Sequence, residues 1–524
     1  MLPVPKRSRA RLWLAWAARS PVALALGLGL AAALLYLSRR SISLDDFDSV
    51  SFALALRDFN LFVQQPQPPG FPVYIALGRA LFWLHADPRW ALVTLSALGG
   101  GVAVAATFGI GYLLSGGRRA AGLCAALLLG LIPIFWLSSE KALSDVPALA
   151  ALLVAILLLL VARQRAAALW PALAGLASGL SLGFRPQNVL ALLPFALALA
   201  LALARCRRWR GLAALAASGL AGVALWLVPV VEISLGPSLY LQLLRIQGRH
   251  VWQTDSLFAA GPLSLGRLHA RLSGVLALLV QQSSGLTLPA RFAGPLQLAL
   301  ALALLGGLGL LLYAERRRPL VWLTAAWLAL GLAQYALLES LDSPRLMLLF
   351  VPALVLLVSL ALARLPGRAL GPLLVALSLL LLVAGWGPAS ILATQQTPPM
   401  QAAGYLRAHY SPSDTLLLAA GSFRHLHYAL PNYSIYYGYY LDRDKLAADL
   451  DGGRFRQVVV VDPESFTSVD DLLGVGGRYL PTGDRVFARD PRAHSQHSRV
   501  DVVILTRADL VRPESSSLSP AQPR

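Results

Sequence analysis

The sequence has 524 residues, of which 57% are apolar and only 14% are charged. Leu and Ala recur in blocks too long for soluble helices, so the composition excludes a soluble globular protein and predicts a polytopic membrane protein. The formal net charge of +19 comes from Lys and Arg residues that lie mostly between the apolar blocks, which is a topology signal and argues against a nucleic-acid-binding patch.

The first predicted element is an apolar span that begins near residue 21, after a basic N-terminal segment of residues 1–20. A signal peptide has the same order, but no small-residue cleavage site precedes the following charged loop, which favours a retained anchor. Stretches of about 17 to 25 apolar residues cross a bilayer core. Eleven are predicted, beginning near residues 21, 90, 120, 146, 167, 189, 211, 293, 319, 346 and 369.

The positive charges between the spans predict their orientation. By the positive-inside rule the basic segments face the cytoplasm, so the N-terminus is predicted to be cytoplasmic. The outer segments are then mainly the loops 39–89 and 236–292 and the tail from residue 389. Arg39 and Arg40 break the pattern and are assigned to the first outer loop. The basic segments contain Lys6, Arg7, Arg9, Arg11, Arg118, Arg119, Arg163, Arg165, Arg205, Arg207, Arg208, Arg210, Arg316, Arg317, Arg318, Arg364 and Arg368.

An acidic cluster follows the first span directly. The stretch "SLDDFDSVSFALAL" places Asp45, Asp46 and Asp48 within four positions. Charges at a membrane boundary are costly unless they meet solvent or partners, so the cluster predicts a functional site. It also fits the start of a helix, with Ser43 as N-cap and the aspartates in the first turn. The two interpretations are compatible, because such a helix would hold Asp46 or Asp48 rigidly at the membrane surface.

A proline-rich elbow comes next, in "QPQPPGFPVYIALGRALF" at residues 65–82. Its four prolines between residues 66 and 72 exclude a continuous helix before about Val73. We expect a stiff turn that returns the chain to the membrane and closes the loop over the carboxylates. A simple proline-rich helix start explains the prolines but not their alternation with Gln65 and Gln67.

Later outer loops carry charged residues at the ends of spans. Glu140 and Asp145 lie in "WLSSEKALSDVPALA", and Asp145 also fits a helix N-cap. Arg185 lies in "LGFRPQNVLALLP" and Arg345 in "DSPRLMLLFVPAL", where snorkelling to the interface is the alternative interpretation. Because acidic and cationic residues recur on the same predicted side at successive span ends, the pattern favours a shared site.

The loop 236–292 has amphipathic stretches that predict either an interfacial helix pair on anionic lipid or a lid over a substrate. Apolar density falls after Trp386, and strand-like runs at 415–420, 457–462 and 500–506 predict a small α/β domain at residues 389–512. Residues 513–524 are typical of a disordered end.

His425 and His427 have no third ligand at a known metal spacing. Cys124 and Cys206 fall in or beside spans, which argues against a disulfide or a cysteine metal site.

Taken together and in order, the quoted motifs resemble the large membrane-embedded glycosyltransferases of the C superfamily (GT-C), close to the protein O-mannosyltransferase-like group of family 39 and its bacterial relatives. The resemblance covers roughly residues 20–390, and its most specific part is the Pro-Pro-Gly-Phe-Pro sequence at residues 68–72. It implies a GT-C-like transmembrane domain at residues 21–388. It also implies a multi-pass enzyme of the cell membrane that moves a sugar from a polyprenyl phosphate to a glycan, lipid or protein acceptor on the outer face.

The resemblance implies catalytic roles for the carboxylates. Asp48 or Asp46 matches the first-loop aspartate that acts as base, with Asp45 a weaker match, and Asp145 matches the second-loop acid. If the enzyme uses a divalent cation, Mg²⁺ or Mn²⁺, the ligands implied are Asp46, Asp48 and Asp145. Carboxylate clusters serve both as bases and as ligands of such cations, so the cation stays an open question at this point.

The resemblance also implies a set of substrate-binding residues. Arg345 and Arg185 match cationic positions that meet the lipid phosphate, and Glu140 accompanies the second-loop acid. Gln67 stands where family members more often carry histidine. The full set of substrate-binding candidates is Arg345, Arg185, Glu140, Gln67 and Asp45.

The residues fit this chemistry without the family name. A fixed carboxylate can take the proton of an acceptor hydroxyl, and arginine binds phosphate oxygens in a bidentate manner. The sequence has no Rossmann glycine fingerprint and no P-loop, so a nucleotide-sugar site is not expected.

Two other functional classes compete with the enzyme. A lipid-linked sugar flippase or transporter would explain the spans, but transporters tend to carry broken helices near mid-membrane and internal repeats. Here the charged residues lie at outer span ends, which favours the enzyme. A non-catalytic cell-envelope assembly protein would use the acidic residues only as helix caps.

Overall fold

The computed structural model describes residues 20–259, 261–285, 299, 303, 306–438, 441–466, 478–493 and 496–511. The chain divides into two compact units. The first unit comprises the chain up to Ser41 and Phe52–Ala393, and the second comprises Ile42–Ser51 together with the chain from Thr394 onward. The acidic cluster therefore belongs to the same unit as the C-terminal part of the chain.

The first unit is built from α-helices joined by short loops and 3₁₀ turns. The turns are Leu61–Val63, Pro186–Asn188 and Pro344–Leu349. The α-helices are α1 Pro21–Ser38, α2 Phe47–Ala55, α3 Pro72–His85, α4 Pro88–Leu114, α5 Arg119–Leu131, α6 Pro133–Ser139, α7 Asp145–Gln164, α8 Leu169–Phe184, α9 Val189–Arg205, α10 Trp209–Ile233, α11 Pro237–Thr254, α12 Leu265–Ser284, α13 Pro319–Leu338, α14 Val351–Leu362 and α15 Gly367–Thr394. Helix α2 begins in the second unit and ends in the first.

Within the described residues, seven helical stretches are long and apolar enough to cross a membrane, and the bent pair α5–α6 raises the number to eight. The predicted polytopic helical fold is confirmed. The predicted spans near residues 167 and 346 correspond to the shorter apolar helices α8 and α14, and the span near residue 293 falls largely outside the described residues. The seven stretches are Pro21–Ser38, Pro88–Leu114, Asp145–Gln164, Pro186–Arg205, Trp209–Ile233, Pro319–Leu338 and Gly367–His409.

Prolines interrupt the helices that differ from the predicted spans. Helix α5 ends before Pro133, and α6 continues at an angle of 64°. Proline has no N–H to donate and disfavours helical conformation in the residue before it. Arg185 and Pro186 end α8 in the same way, and the 3₁₀ turn that contains Pro344 and Arg345 precedes α14. The breaks therefore place charged residues at helix ends.

Helices α8 and α10 pack with their backbones in close contact. A Cβ added at Gly175 would lie 2.2 Å from the carbonyl oxygen of Leu215, and one added at Gly179 would lie 2.3 Å from that of Gly219. The indole of Trp226 donates to the Gly179 carbonyl at 3.0 Å. Small residues allow this approach in membranes, where packing replaces the hydrophobic effect as the force between helices.

The second unit contains a five-stranded mixed sheet, as the predicted α/β domain requires. Its strand order is β2-β1-β3-β5-β4; β1 pairs in parallel with β2 and β3, and β5 runs antiparallel to β3 and β4. The strands are β1 Thr415–Ala419, β2 Ser434–Tyr437, β3 Gln457–Val461, β4 Tyr479–Ala488 and β5 Arg499–Arg507, and the helices are α16 Pro398–His409, α17 Phe423–Ala429, α18 Arg443–Asp451 and α19 Ala508–Val511.

Helices cover both faces of this sheet. Successive side chains of a strand point to opposite faces, so Leu417 of β1 packs with residues of α16 and α17. Leu416 on the other face packs with Leu446 and Leu450 of α18. Strands buried on both faces are nearly continuous apolar runs, which is why β1, β3 and β5 were predictable from the sequence.

The Gly179 contact gives a test of the packing between α8 and α10. Gly179→Ala is expected to lower the thermal unfolding midpoint, since overpacking of this kind costs about 1–3 kcal/mol. Gly248→Ala, in α11 with no heavy atom within 4 Å of the added Cβ, is the matched control and should raise the midpoint slightly through helix propensity. The measurement is unfolding of both variants in one detergent; equal shifts would contradict the close approach.

Candidate functional site

One buried carboxylate joins two arginines in the first unit. Asp145 opens helix α7, and its side chain is 2% exposed. Its Oδ1 atom lies 3.0 Å from an Nη atom of Arg185, and its Oδ2 atom lies 3.2 Å from an Nη atom of Arg345. The three residues come from "SDVP", "FRPQ" and "SPRL", which are far apart in the sequence. The structure thus brings together three of the predicted site residues.

The elbow and a serine fix the position of Arg185. Its Nε and Nη2 atoms both donate to the Ser144 hydroxyl at 3.2 Å. Its guanidinium lies over the ring of Phe71, with 5.6 Å to the centroid. Phe71 adopts a positive φ of 48° at the end of the proline elbow and packs edge-on against Phe52 at 5.1 Å. The elbow therefore supplies one wall of the arginine site.

A cavity opens beside this ion pair. Asp145, Arg185 and Arg345 line it together with Gln187, Asn188, Gln334 and Glu339, and one side is formed by the apolar residues Ala148, Leu149, Leu152, Leu346, Leu348 and Leu349. The amide of Asn188 donates to the carbonyls of Ala148 and Ser181 at 3.2 and 3.1 Å. Helices α7, α8 and α9 are joined there, so the cavity has a rigid floor. A cationic fork next to an apolar wall suits an anion that carries a hydrocarbon group.

Glu339 is a second carboxylate of the cavity, and the sequence analysis did not include it. It follows the last residue of α13, and its side chain accepts a hydrogen bond from Gln334. Burial raises the pKa of Glu339 above its ordinary value, and this effect outweighs the lowering by Gln334, Arg185 and Arg345. The neutral form of Glu339 is therefore favoured compared with an exposed glutamate.

Glu140 and Gln67 occupy other positions in the first unit. The Glu140 side chain is fully buried and accepts a hydrogen bond from the indole of Trp136 at 2.5 Å. Its backbone carbonyl accepts from the Ser41 amide at 3.0 Å. Gln67 lies within the elbow, where its carbonyl accepts from Gly70 at 3.0 Å. Neither residue lines the cavity that contains Asp145.

In the second unit, Asp45 forms a buried ion pair with Arg489. The distance between Asp45 Oδ1 and an Nη atom of Arg489 is 2.6 Å, and neither side chain is exposed. Ser43 and Thr397 share a hydrogen bond of 2.8 Å between their hydroxyls. The backbone amide of Phe47 donates to Gln496 at 2.8 Å. These contacts hold the acidic segment to the sheet domain on both sides of Asp45 and Asp46.

Asp46 lies near a pair of histidines, of which His425 is buried and His497 is half-buried. The rings of His425 and His497 meet edge to face with 5.6 Å between centroids. Burial lowers the pKa of His497, while the charges of Asp462 and Asp46 act in the opposite direction. Burial, and then the charge of His497, lower the pKa of His425 to about 3. Both rings are therefore neutral near pH 7. His425 lies on helix α17, not on a strand, which separates it from the side chain of His427.

Asp48 differs from its two neighbours. It lies in the first turn of helix α2 and is partly exposed, whereas Asp45 and Asp46 are buried. A carboxylate in the first turn of a helix is stabilised by the helix dipole. Of the three aspartates, Asp48 is therefore held in place while it remains open to solvent.

The described residues contain no group of three or more His, Cys, Asp or Glu side chains that could hold a metal ion. The carboxylate of Asp145 faces two arginines. Such positive surroundings favour the binding of an anion over the binding of a cation.

Arg489 and Glu339 are the main residues that sequence reasoning missed. Arg489 lies in "FARDPRA" after the edge strand β4, where an arginine looks like an ordinary loop residue. Glu339 lies four positions before Ser343 in "LLESLDSPR", and its position at the C-terminal end of a predicted span was the available signal.

No family model matches the sequence, and no curated protein matches it at a significant level. Two crystal structures of ArnT from Cupriavidus metallidurans match almost the whole chain. The structure bound to undecaprenyl phosphate has a TM-score of 0.57 and 16% identity, and covers 94% of this chain and 99% of ArnT. The apo structure has a TM-score of 0.53 and 14% identity, and covers 97% and 100%. At this identity the likeness shows the fold alone, and the predicted architecture of a polytopic helical membrane protein with a small C-terminal α/β domain is confirmed.

The raised pKa of Glu339 predicts a pH-dependent effect of its removal. Glu339→Gln should raise the thermal unfolding midpoint at pH 8 and change it little at pH 4. An ionised Glu339 destabilises the folded state. The free energy of unfolding therefore falls as the pH rises from about 4.3, the pKa of glutamate in the unfolded state, through the higher pKa of Glu339 in the folded state. The exposed neighbour Asp342→Asn is the control. A gain that is the same at both pH values would contradict the prediction.

The lowered pKa of His425 predicts acid sensitivity of the second unit. The pKa of His425 lies near 3 in the folded state and near 6.5 in the unfolded state. The free energy of unfolding is therefore unaffected by this group above pH 6.5. It falls as the pH drops from 6.5 towards 3, by up to about 1.4 kcal/mol per pH unit. Pulse proteolysis in urea between pH 4.5 and 7.5 measures this loss. His425→Phe should flatten the profile, and exposed His409→Phe should not; parallel profiles for wild type and His425→Phe would refute the assignment.

Proposed function

We propose that this chain is an integral membrane glycosyltransferase that moves a sugar from a polyprenyl phosphate donor to an acceptor on the outer face of the membrane. The observation that carries the proposal is the cavity in which Asp145 orients Arg185 and Arg345 beside a wall of leucines. A lipid phosphate presents both of the features that this cavity matches. The undecaprenyl phosphate bound to ArnT supports a polyprenyl phosphate as the donor class.

The two arginines bind the leaving phosphate. Each guanidinium presents parallel N–H donors, and the shared carboxylate of Asp145 sets the orientation of both. As the anomeric C–O bond breaks, the electron pair stays on the phosphate oxygen and the negative charge there grows. Arginines that are already oriented stabilise that charge without reorganisation. Burial of Glu339 raises its pKa, which disfavours a second negative charge in the cavity.

The resemblance of the motifs assigns the role of base to Asp48, with Asp46 as the alternative; both belong to the second unit and the arginines to the first, so this role rests on the sequence motifs. The acceptor hydroxyl attacks the anomeric carbon, its proton passes to the carboxylate, and the polyprenyl phosphate departs from the opposite face of the sugar. One displacement of this kind inverts the configuration. Asp48 is favoured because it is accessible, whereas Asp45 is held by Arg489 and Asp46 is buried. A divalent cation is not required by these roles.

The resemblance of the ordered motifs supports a place near family 39 of the C superfamily. The distribution of the basic residues supports an N-terminus in the cytoplasm and a sheet domain outside. The predicted domain limits, residues 21–388 and 389–512, belong to the same proposal. The acceptor is a glycan, a lipid or a protein hydroxyl. A flippase shares the need to bind a lipid phosphate but has no use for a base.

The test is release of free polyprenyl phosphate from a panel of labelled polyprenyl phosphate sugars by the purified chain in lipid, with membrane extract as acceptor source. Asp48→Asn should lower turnover by about 10²- to 10⁴-fold, the usual contribution of a general base. Arg345→Ala should lower kcat by about 10²-fold, since the phosphate loses an oriented donor. A chelator, followed by added Mg²⁺ or Mn²⁺, tests the cation.

The matched controls are Asp444→Asn and Arg443→Gln, two exposed residues of helix α18, and both should leave turnover unchanged. If Asp46→Asn abolishes turnover and Asp48→Asn does not, Asp46 is the base. If no donor turns over while labelled lipid-linked sugar crosses the bilayer, the chain is a transporter and the proposed enzyme is wrong.

A further inference from the structure

A second charged cleft lies in the first unit, away from the cavity with Asp145. Three separate loops form it: the one before α5, the one before α13 and the one after α14. Five arginines line the cleft with one carboxylate, Glu315, and two alanines. The arginines are Arg118, Arg316, Arg317, Arg318 and Arg364. Positive charge therefore exceeds negative charge strongly at this point.

Glu315 orients two of these arginines and is itself only 11% exposed. Its Oε2 atom lies 3.0 Å from Nε of Arg318, and its Oε1 atom lies 2.8 Å from an Nη atom of Arg364. The ion pairs connect the loop before α13 with the end of α14. Basic loops that serve only to orient a membrane protein need no such cross-link.

Two of the remaining arginines, Arg118 and Arg316, are anchored through their backbones. The Arg118 amide donates to the Ser115 hydroxyl at 3.1 Å, and that hydroxyl donates back to the Arg118 carbonyl at 3.2 Å. The Arg316 carbonyl accepts from the indole of Trp322 at 3.3 Å. The loops that carry the arginines are thus held, while the side chains of Arg118, Arg316 and Arg317 are exposed.

Two exposed aromatic rings flank the cleft. Tyr313 is 67% exposed and lies under the Arg316 guanidinium, with 4.4 Å to the ring centroid. Trp322, in the first turn of the membrane helix α13, is 47% exposed. Exposed Trp and Tyr rings at the ends of membrane helices mark the level of the lipid headgroups. The two rings therefore indicate that the cleft lies at the level of the lipid headgroups.

We propose that this cleft binds the phosphate headgroup of an anionic phospholipid. The guanidinium groups bind the phosphate oxygens in a bidentate manner, and the acyl chains lie along the apolar surface of α13. The cleft belongs to the side that the arginine distribution predicts to be cytoplasmic, where anionic lipids attract basic residues. The proposal is independent of the glycosyltransferase assignment, because no residue is shared with the cavity of Asp145.

A soluble phosphate offers the same oxygens but not the same fit. It would gain nothing from the exposed aromatic rings or from the apolar helix below the cleft. We therefore assign the cleft to a lipid, and the experiment uses inorganic phosphate as a competitor.

The experiment measures binding of phosphatidylglycerol and phosphatidylcholine to the purified chain in neutral detergent by native mass spectrometry, with inorganic phosphate as competitor. Phosphatidylglycerol should bind at least about tenfold more tightly, as expected for several arginines at a lipid headgroup. Arg316→Ala with Arg317→Ala should remove most of this preference. Arg316→Lys with Arg317→Lys should weaken it although the net charge is unchanged, because lysine cannot bind in a bidentate manner.

The charge-matched control is Arg163→Gln with Arg210→Gln, two exposed arginines on the same predicted side that do not line the cleft; it should keep the full preference. The proposal is overturned if both lipids bind equally, or if the control loses as much as the Arg316 and Arg317 variants, since net charge would then be sufficient. Full competition by inorganic phosphate at equal concentration would identify a site for soluble anions and would also overturn it.

Discussion

The carboxylate of Asp145 is shared between Arg185 and Arg345, which belong to different helix ends. Many features of the first unit are arranged around this shared ion pair. Pro186 follows Arg185 at the end of α8, and Pro344 begins the 3₁₀ turn that carries Arg345. The elbow places Phe71 under Arg185, and Asn188 fixes the adjoining helices. Removing one partner of a buried ion pair costs about 3–5 kcal/mol, because the other charge stays buried. The same ion pair thus stabilises the helix ends and orients the arginines that can bind an anion.

Much of this site could be predicted from the sequence, because its residues lie at span ends on one predicted side. Asp145, Arg185 and Arg345 stood out as charges in apolar surroundings, and the apolar runs indicated most of the helices and β1, β3 and β5. The mutual pairing of the three residues could not be predicted, since it depends on how the helices pack. Glu339 was missed because many membrane helices are followed by a carboxylate, and only the structure shows that this one lies beside the arginines. Strand β4 was missed because Pro481 and Gly483 interrupt it at a sheet edge, where such residues are tolerated.

The acidic segment was predicted as one site, and its three aspartates turn out to have different surroundings. Asp45 pairs with Arg489, Asp46 is buried near His497, and Asp48 opens a helix with part of its side chain in solvent. Residues that are adjacent in the sequence can therefore have different roles: one stabilises the fold, and another remains accessible for chemistry. Arg489 could not be recognised in advance, because 444 positions separate it from Asp45 and no local pattern connects the two.

That separation also has a consequence for biosynthesis. Chains grow at roughly 5–20 residues per second, so Asp45 is synthesised roughly 20 to 90 s before Arg489, given the 444 positions between them. Until then the segment Ile42–Ser51 has no sheet domain to join, and its carboxylates stay hydrated while the membrane helices are inserted. The second unit is completed only after β4 and β5 have been made, so a nascent chain that stalls before residue 489 carries the membrane-spanning helices described above but lacks the arginine that pairs with Asp45. Pairing of the segment with the sheet domain is thus a late step of assembly, and a gene fragment that encodes only the residues from Thr394 onward would lack part of its own domain.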